Sequence, residues 1–542
     1  MKIREKLWHF AHSLMRDKYG FSILVISIVF SILFTVYSFL QFDLLNMSAW
    51  DLGIYTQALY SGIHGHLFYT SLLPGSYLSE HFSPILFLLV IPYYIYPHAY
   101  TLLIIQGFAI GLSAYVLYLL SLEIMNKLKD TRTGKYIDSR AISFVIALAF
   151  LLSPLTESPI FFDFHLMVFL PLFFFMALYF FLNGNIVLNI IFIGLIVSLH
   201  SAYVFIAIML VLFELFINST LTLNITKGKI AFAGYLGISI VALGSYFILA
   251  GILKTHIAGA SIVIPAIHVS GSTGPVSLLV DIFTNPLFVL KLLTANYYLK
   301  LTLLFFGLGG YAFLFLRYPK SIFLFVPYIL YAMFSVYQPY YTIGYQYTMM
   351  FIPMIAVSAI MGIYIMIKKS DTHPSYRKQV NIALAVIIII SLFGFSVATP
   401  LVSGYTFEPS MYNTINEMNN QTFMHQIDFE KEIAASIHKN ARIVTENAIF
   451  PLFGNDPNAT AFPYTSDIVV NGSYYQYLII DLKSQWSYNT ANIDGSQISL
   501  YQLDQQYMLS GDYGVYAHGY GITVLEKGYT GKPLFTPQEG QN

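Results

Sequence analysis

Apolar runs of about 18 residues or more recur along most of this chain, separated by short polar loops. Each run is long enough to cross the hydrocarbon core of a bilayer as a helix, and a helix satisfies its own backbone polar groups there. The pattern therefore specifies a polytopic helical membrane protein. With 57% hydrophobic and 10% charged residues the chain lies far from the roughly 25% charged of soluble domains. A formal net charge of zero offers nucleic acid nothing to bind. The lack of cysteine excludes disulfides, thiolate metal sites and Cys nucleophiles. Tyrosine outnumbers tryptophan 43 to 3, which suits interfacial aromatic belts. The N-terminus is basic, but the apolar run after it is long and has no small-residue cleavage site, so it reads as an uncleaved first span.

The runs put spans at about 20–42, 98–121, 141–155 and 165–182, and two short spans within 186–217 that break near His200-Ser201. Further spans follow at about 230–253, 299–316, 321–337, 346–367 and 380–398, eleven in all. With the N-terminus inside, the inner segments carry eighteen Lys and Arg. The outer segments before residue 400 carry Lys254, Lys291 and Lys300. That asymmetry satisfies the positive-inside rule and implies a multi-pass plasma-membrane protein with a cytoplasmic N-terminus and an extracytoplasmic C-terminal region.

Residues 42–84 follow the first span and hold no Lys or Arg, but they include Asp43, Asp51, His64, His66, Glu80 and His81. Carboxylates and imidazoles beside spanning helices are costly unless they serve a purpose. Within this stretch, Ser48–Tyr60 has the spacing of a short amphipathic helix, polar enough to lie on a membrane surface. Residues 83–96 are apolar but short and flanked by proline, so they read as re-entrant or interfacial. The domain reading is a membrane domain over 1–399, with an amphipathic outer loop at 43–97, and a small soluble α/β domain over 400–542. The latter carries 14 acidic and 6 basic residues. It has a helix-like stretch at 430–440, strand-like stretches at 441–446 and 475–482, and a hairpin around Gly519–Gly521.

Asp163 and His165 stand two apart in the apolar stretch IFFDFHLMVF. If that stretch is extended, both side chains point to one face; otherwise Asp163 caps the next helix. Glu80 and His81 are either ligand-facing or a solvated loop before Pro84. Lys300, at a span edge, either meets a phosphate or snorkels to the interface. Tyr341 and Tyr345 either stack on a sugar or lipid tail or belong to the aromatic belt.

The segments WDLGIYTQALYSGIHGH (50–66), HFSPILFLLVIPYYIYP (81–97), SPIFFDFHLMVFLP (158–171) and YQYTMMFIPMI (345–355) carry a resemblance across most of the chain. AASIHKNARIVTENAIFPLF (434–453) and YQYLIIDL (475–482) extend it into the tail. The chain resembles DUF2079, a family of archaeal and bacterial membrane proteins grouped with the GT-C glycosyltransferases. Few charges and no Cys are compatible with an archaeal cell-envelope protein. The resemblance implies a GT-C-like all-α membrane domain and sugar transfer from a polyprenyl-phosphate-linked sugar. The acceptor would be a glycan, lipid or protein at the outer bilayer face. It makes Asp51 the catalytic base and Asp163 a second catalytic carboxylate, with Glu80, His81, His165, Lys300, Tyr341 and Tyr345 binding substrate. Asp51, Asp163 and His165 also offer mixed oxygen and nitrogen ligands for a divalent cation (Mg, Mn or Zn).

Overall fold

The computed structural model describes residues 16–128, 138–223, 229–258, 283–398 and 411–533, apart from 74, 336, 439, 463–468, 471–472, 482–489 and 494–495. Most of the expected loop 254–298 lies outside the described residues. Packing divides the chain into two compact units. One comprises Met1–Thr35, Ile104–Thr255 and Ala260–Glu408; the other comprises Val36–Leu103, His256–Gly259 and Pro409–Asn542.

The first unit is helical. Counting helices that continue into the second unit, seven described helices are long and apolar enough to cross a membrane: Lys18–Asp43, Ala99–Asn126, Ser139–Phe162, Ser201–Leu221, Gly234–Leu253, Gln346–Ser370 and Ser375–Val397. Pro286–Thr294 and Tyr297–Gly309, bent by 70°, would form an eighth span as a pair. Eleven spans are expected from the apolar runs. The difference arises because several runs fold as shorter or broken helices, among them Leu166–Leu182 and Ile186–Leu199. The break near His200-Ser201 is present and has a local cause. His200 is extended, and its Nδ1 accepts from the Ala202 amide at 3.0 Å, which caps the next helical turn. The expected loop after residue 155 is instead helical to Phe162. There Ser153 caps the helix, and Pro154 takes the first-turn position where its missing N–H costs nothing.

Small residues bring two of these helices together. A Cβ on Gly107 would fall 2.9 Å from the Ser31 carbonyl, and one on Gly111 would fall 2.5 Å from the Ser27 carbonyl. Gly107 and Gly111 are thus a small-xxx-small contact, the means by which membrane helices approach closely without a hydrophobic driving force.

The second unit joins the outer loop to the C-terminal region. A two-residue ribbon, β1 (Tyr69–Thr70) with β2 (Gly75–Ser76), belongs to the loop. The C-terminal region forms a five-stranded mixed sheet from β3 (Ile443–Thr445), β4 (Ala459–Ala461), β5 (Tyr477–Asp481), β6 (Tyr513–Gly519) and β7 (Ile522–Lys527). The strand order is β6-β7-β5-β3-β4, with β3 parallel to both its neighbours and β5–β7 and β6–β7 antiparallel. The expected hairpin is the β6–β7 turn, where Tyr520 and Gly521 both have positive φ, as a two-residue hairpin turn requires. Val444, Phe462, Leu478, Ile480 and Leu525 form the core of this sheet.

The stretch expected to lie on the membrane surface does not form an exposed amphipathic helix. It folds as a π-helical turn, Ala49–Gly53, followed by helix Ile54–Ile63, in which Ile54, Tyr55, Thr56, Gln57, Ala58, Leu59 and Ser61 are all buried. The short apolar stretch does form a ten-residue helix, Leu86–Ile95, with Phe87, Leu88, Ile91, Tyr94 and Ile95 exposed. Loop and C-terminal region are tied by polar contacts. Gln57, fully buried, donates from Nε2 to the carbonyls of Asp456 (2.9 Å) and Ala459 (3.0 Å). Its Oε1 accepts from the Thr70 hydroxyl (2.9 Å) and the Ser71 amide (2.8 Å). Tyr93 donates to Asn455 Oδ1 at 2.6 Å, and Asn455 Nδ2 donates to the Pro97 carbonyl at 2.6 Å.

Gln57→Leu keeps the volume but strands several buried partners. It is expected to cost roughly 3 kcal/mol, since each unsatisfied buried group costs about 1–3 kcal/mol. Thermal unfolding of the purified full-length protein checks this, with Ser71→Ala as a milder control.

Candidate active site

Asp51 lies at the centre of the π-helical turn Ala49–Gly53 and is half-buried. π-Turns are rare and recur at functional sites. This one is built across the unit. The Ala49 amide donates to the Asn447 carbonyl (2.9 Å) and to its Oδ1 (3.0 Å), and the Ser48 hydroxyl donates to the same Oδ1 at 3.1 Å. Ser48 Oγ in turn accepts from the Trp50 amide at 3.0 Å and caps the turn. A Cβ on Gly53 would sit 2.6 Å from the Phe450 ring, so this position needs glycine for close approach. Burial pushes the Asp51 carboxyl up to about 7, while its hydrogen bond with Ser48 pulls the other way.

One turn further on, Tyr55 accepts from the Tyr77 hydroxyl at 2.7 Å. The Tyr77 ring lies 5.6 Å from the His81 ring, so His81 belongs to the same side-chain network as the helix that follows Asp51. Glu80 ends the short helix Tyr77–Glu80.

Asp163 and His165 belong to the first unit, and both are buried. The backbone at both residues is extended, as the D-x-H reading requires, and Asp163 follows the helix Pro154–Phe162 instead of beginning one. Asp163 Oδ1 accepts from the Phe164 amide at 2.6 Å, and Gln106 Oε1 accepts from the His165 amide at 3.3 Å. His165 stacks parallel on Phe162 at 5.6 Å, and Tyr345 packs on the same ring at 4.9 Å. His165 and Tyr345 thus meet at the Phe162 ring.

Lys300 and Tyr341 form a separate pair. Lys300 is buried; its Nζ donates to the carbonyls of Leu292 and Met333 and lies 4.7 Å from the Tyr341 ring centre. Tyr341 accepts from Asn296 Nδ2 at 2.9 Å. Lys300 does not snorkel outward, and Tyr341 is buried. The candidate metal set of Asp51, Asp163 and His165 draws on both units, and among the described residues no group of three His, Asp or Glu is placed to hold a metal ion.

A family model described as "Predicted membrane protein (DUF2079)" matches residues 41–524. The chain belongs to this family. No curated protein matches it. Two crystal structures of ArnT from Cupriavidus metallidurans are similar to it, one bound to undecaprenyl phosphate and one in the apo state. Each shares 12% identity and a TM-score of 0.45, covering 92% of this chain and 97% of that one.

In this family member the sequence does not mark the supports of Asp51, which are Ser48 and Asn447. Asn447 lies in the segment VTEN, noted above, but nothing in the sequence marks that residue as the partner of a loop about 400 positions earlier. Also unmarked are three buried carboxylates of the second unit, Glu430, Glu446 and Asp481. Among the described residues no side chain pairs with the buried Glu446 carboxyl, and its hydrogen bond is to the Asn447 backbone. Burial, then Asp481, holds Glu446 well above the usual carboxylate range and Glu430 up to about 8. Both folded values exceed the unfolded ones, so the folded chain binds more protons, for Glu430 over the window from about 4.5 to about 8. Stability contributed by these groups is therefore fully present at the acid end of that window and is lost as pH rises through it. Melting temperature is expected to fall from about pH 5 to about pH 8. Glu446→Gln is expected to flatten that slope, because an amide does not titrate.

Proposed function

We propose that this membrane protein is a glycosyltransferase that moves a sugar from a polyprenyl-phosphate donor to an acceptor hydroxyl at the outer face, with inversion at the anomeric carbon. The observation that carries this reading is Asp51: a half-buried carboxyl in a π-turn held by Ser48 and Asn447, raised to about 7. A general base works best when its ionisation lies near the operating pH. The family resemblance carried by residues 50–66 points to the same residue. In the reaction the acceptor oxygen bonds to the sugar C1 as the C1–O bond to phosphate breaks. The phosphate leaves with that electron pair, and the acceptor's proton passes to Asp51.

His165, buried beside Phe162, suits a hydrogen bond to substrate. Lys300 has committed its ammonium to two backbone carbonyls, which argues against its meeting the charge of the departing phosphate. Tyr345, which meets His165 at Phe162, and Asp163, two residues before His165, are assigned to the sugar or its carrier. The charge asymmetry of the loops supports a cytoplasmic N-terminus and an outer C-terminal region.

Transfer from a radiolabelled polyprenyl-phosphate sugar pool is the test, in vesicles holding wild type, Asp51→Asn or Asp163→Asn, with and without EDTA. Asp51→Asn is expected to lower transfer by about 10²–10⁴-fold, the usual contribution of a general base. In wild type kcat/KM should rise with pH around a midpoint of about 7. Equal transfer by wild type and Asp51→Asn would remove Asp51 from the chemistry, and absence of transfer across a broad donor panel would remove the enzyme reading.

A further inference from the structure

Glu214 is fully buried in helix Val204–Leu221, inside an apolar span and far in character from the polar loops. Its surroundings come from three other helices of the same unit. Asn189 lies on Ile186–Leu199, the Ala177 carbonyl on Leu170–Leu182, and Tyr235 on Lys229–Ala258. Asn189 Nδ2 lies 3.0 Å from the Ala177 carbonyl and 2.6 Å from Glu214 Oε1. The Tyr235 hydroxyl lies 2.5 Å from Asn189 Oδ1 and 3.1 Å from Glu214 Oε2.

Counting protons assigns each contact. A backbone carbonyl only accepts, so the Asn189 atom facing Ala177 must be its nitrogen; this removes the usual ambiguity of amide orientation. The two Nδ2 protons then go to Ala177 and to Glu214 Oε1. Asn189 Oδ1 only accepts, so the single Tyr235 proton must serve the contact between those two oxygens. That leaves the contact between Tyr235 and Glu214 Oε2 with no proton from Tyr235. Two oxygens at that distance without a proton between them repel.

We propose that Glu214 is a membrane-buried proton-binding site. It holds its proton on Oε2 and donates it to the Tyr235 oxygen. The ring then closes: Glu214 O–H to Tyr235, Tyr235 O–H to Asn189 Oδ1, Asn189 N–H to Glu214 Oε1. Every contact carries one proton, and four helices are clasped by a neutral network. Among the described cations on elements packed against this helix, Lys320 lies over the Phe216 ring, 5.5 Å from its centre. The nearby hydroxyl pair of Thr220 and Tyr318 is satisfied internally at 2.9 Å.

Infrared difference spectra between the full-length wild type and Glu214→Gln test this directly, recorded from about pH 5 to about pH 9, a range above the ordinary carboxylate values. The expected result is a protonated-carboxyl C=O band in wild type across that range, shifted in D₂O and absent from Glu214→Gln. An amide can replace the acid in the ring, so Glu214→Gln should melt close to wild type, whereas Glu214→Leu should melt about 4 °C or more lower. Tyr235→Phe, which removes the acceptor, should shift the band without abolishing it. This keeps the test intact if the glutamine variant does not fold. A carboxylate band in place of the acid band near neutral pH, or Glu214→Gln melting as low as Glu214→Leu, would overturn the proposal.

Discussion

The hydrogen bonds of Asn447 to Ala49 and Ser48 are the contacts on which the second unit depends. A polar loop of some forty residues directly after a membrane helix cannot bury its backbone and side chains unless it finds partners for them. The C-terminal region provides those partners. Asn447 shapes the turn that carries Asp51, Gln57 is met by the segment leading into β4, and Asn455 bridges Tyr93 and Pro97. Catalytic geometry here would thus be set by parts of the chain far apart in sequence.

Satisfaction of buried polar groups also separates the candidate residues. Lys300 and Glu214 are each fully engaged by their own unit, one by backbone carbonyls and a ring, the other by a hydrogen-bonded network. Such groups stabilise packing in a medium without water. Asp51 differs: it is half-buried and keeps a raised carboxyl, the condition in which an acid–base group can exchange a proton.

Much of the architecture was legible because hydrophobicity in lipid is a strong and local signal. The long apolar runs, the break at His200 and the tail hairpin at Tyr520-Gly521 all follow from residues close in sequence. Helix length was less legible. Ser153 and Pro154 restart a helix where a loop was expected, and the apolar run at 299–316 breaks into a short helix and turns. Asp51, Asp163 and His165 stood out because ionisable groups in apolar surroundings are conspicuous. Their supports, Asn447 and Gln106, did not, because long-range hydrogen bonds leave no periodic trace. The amphipathic spacing of Ser48–Tyr60 misled for the same reason: the polar side of that helix is buried against protein partners and does not face water.

Amide hydrogen exchange over residues 48–63, compared between the full-length wild type and Asn447→Ala, tests most directly whether the tail builds the Asp51 turn. Faster exchange at Ala49 and through the following helix, with exchange in Leu166–Leu182 unchanged, is the expected result. Equal protection in the two proteins would show that the Asp51 turn stands without the tail and would contradict the account.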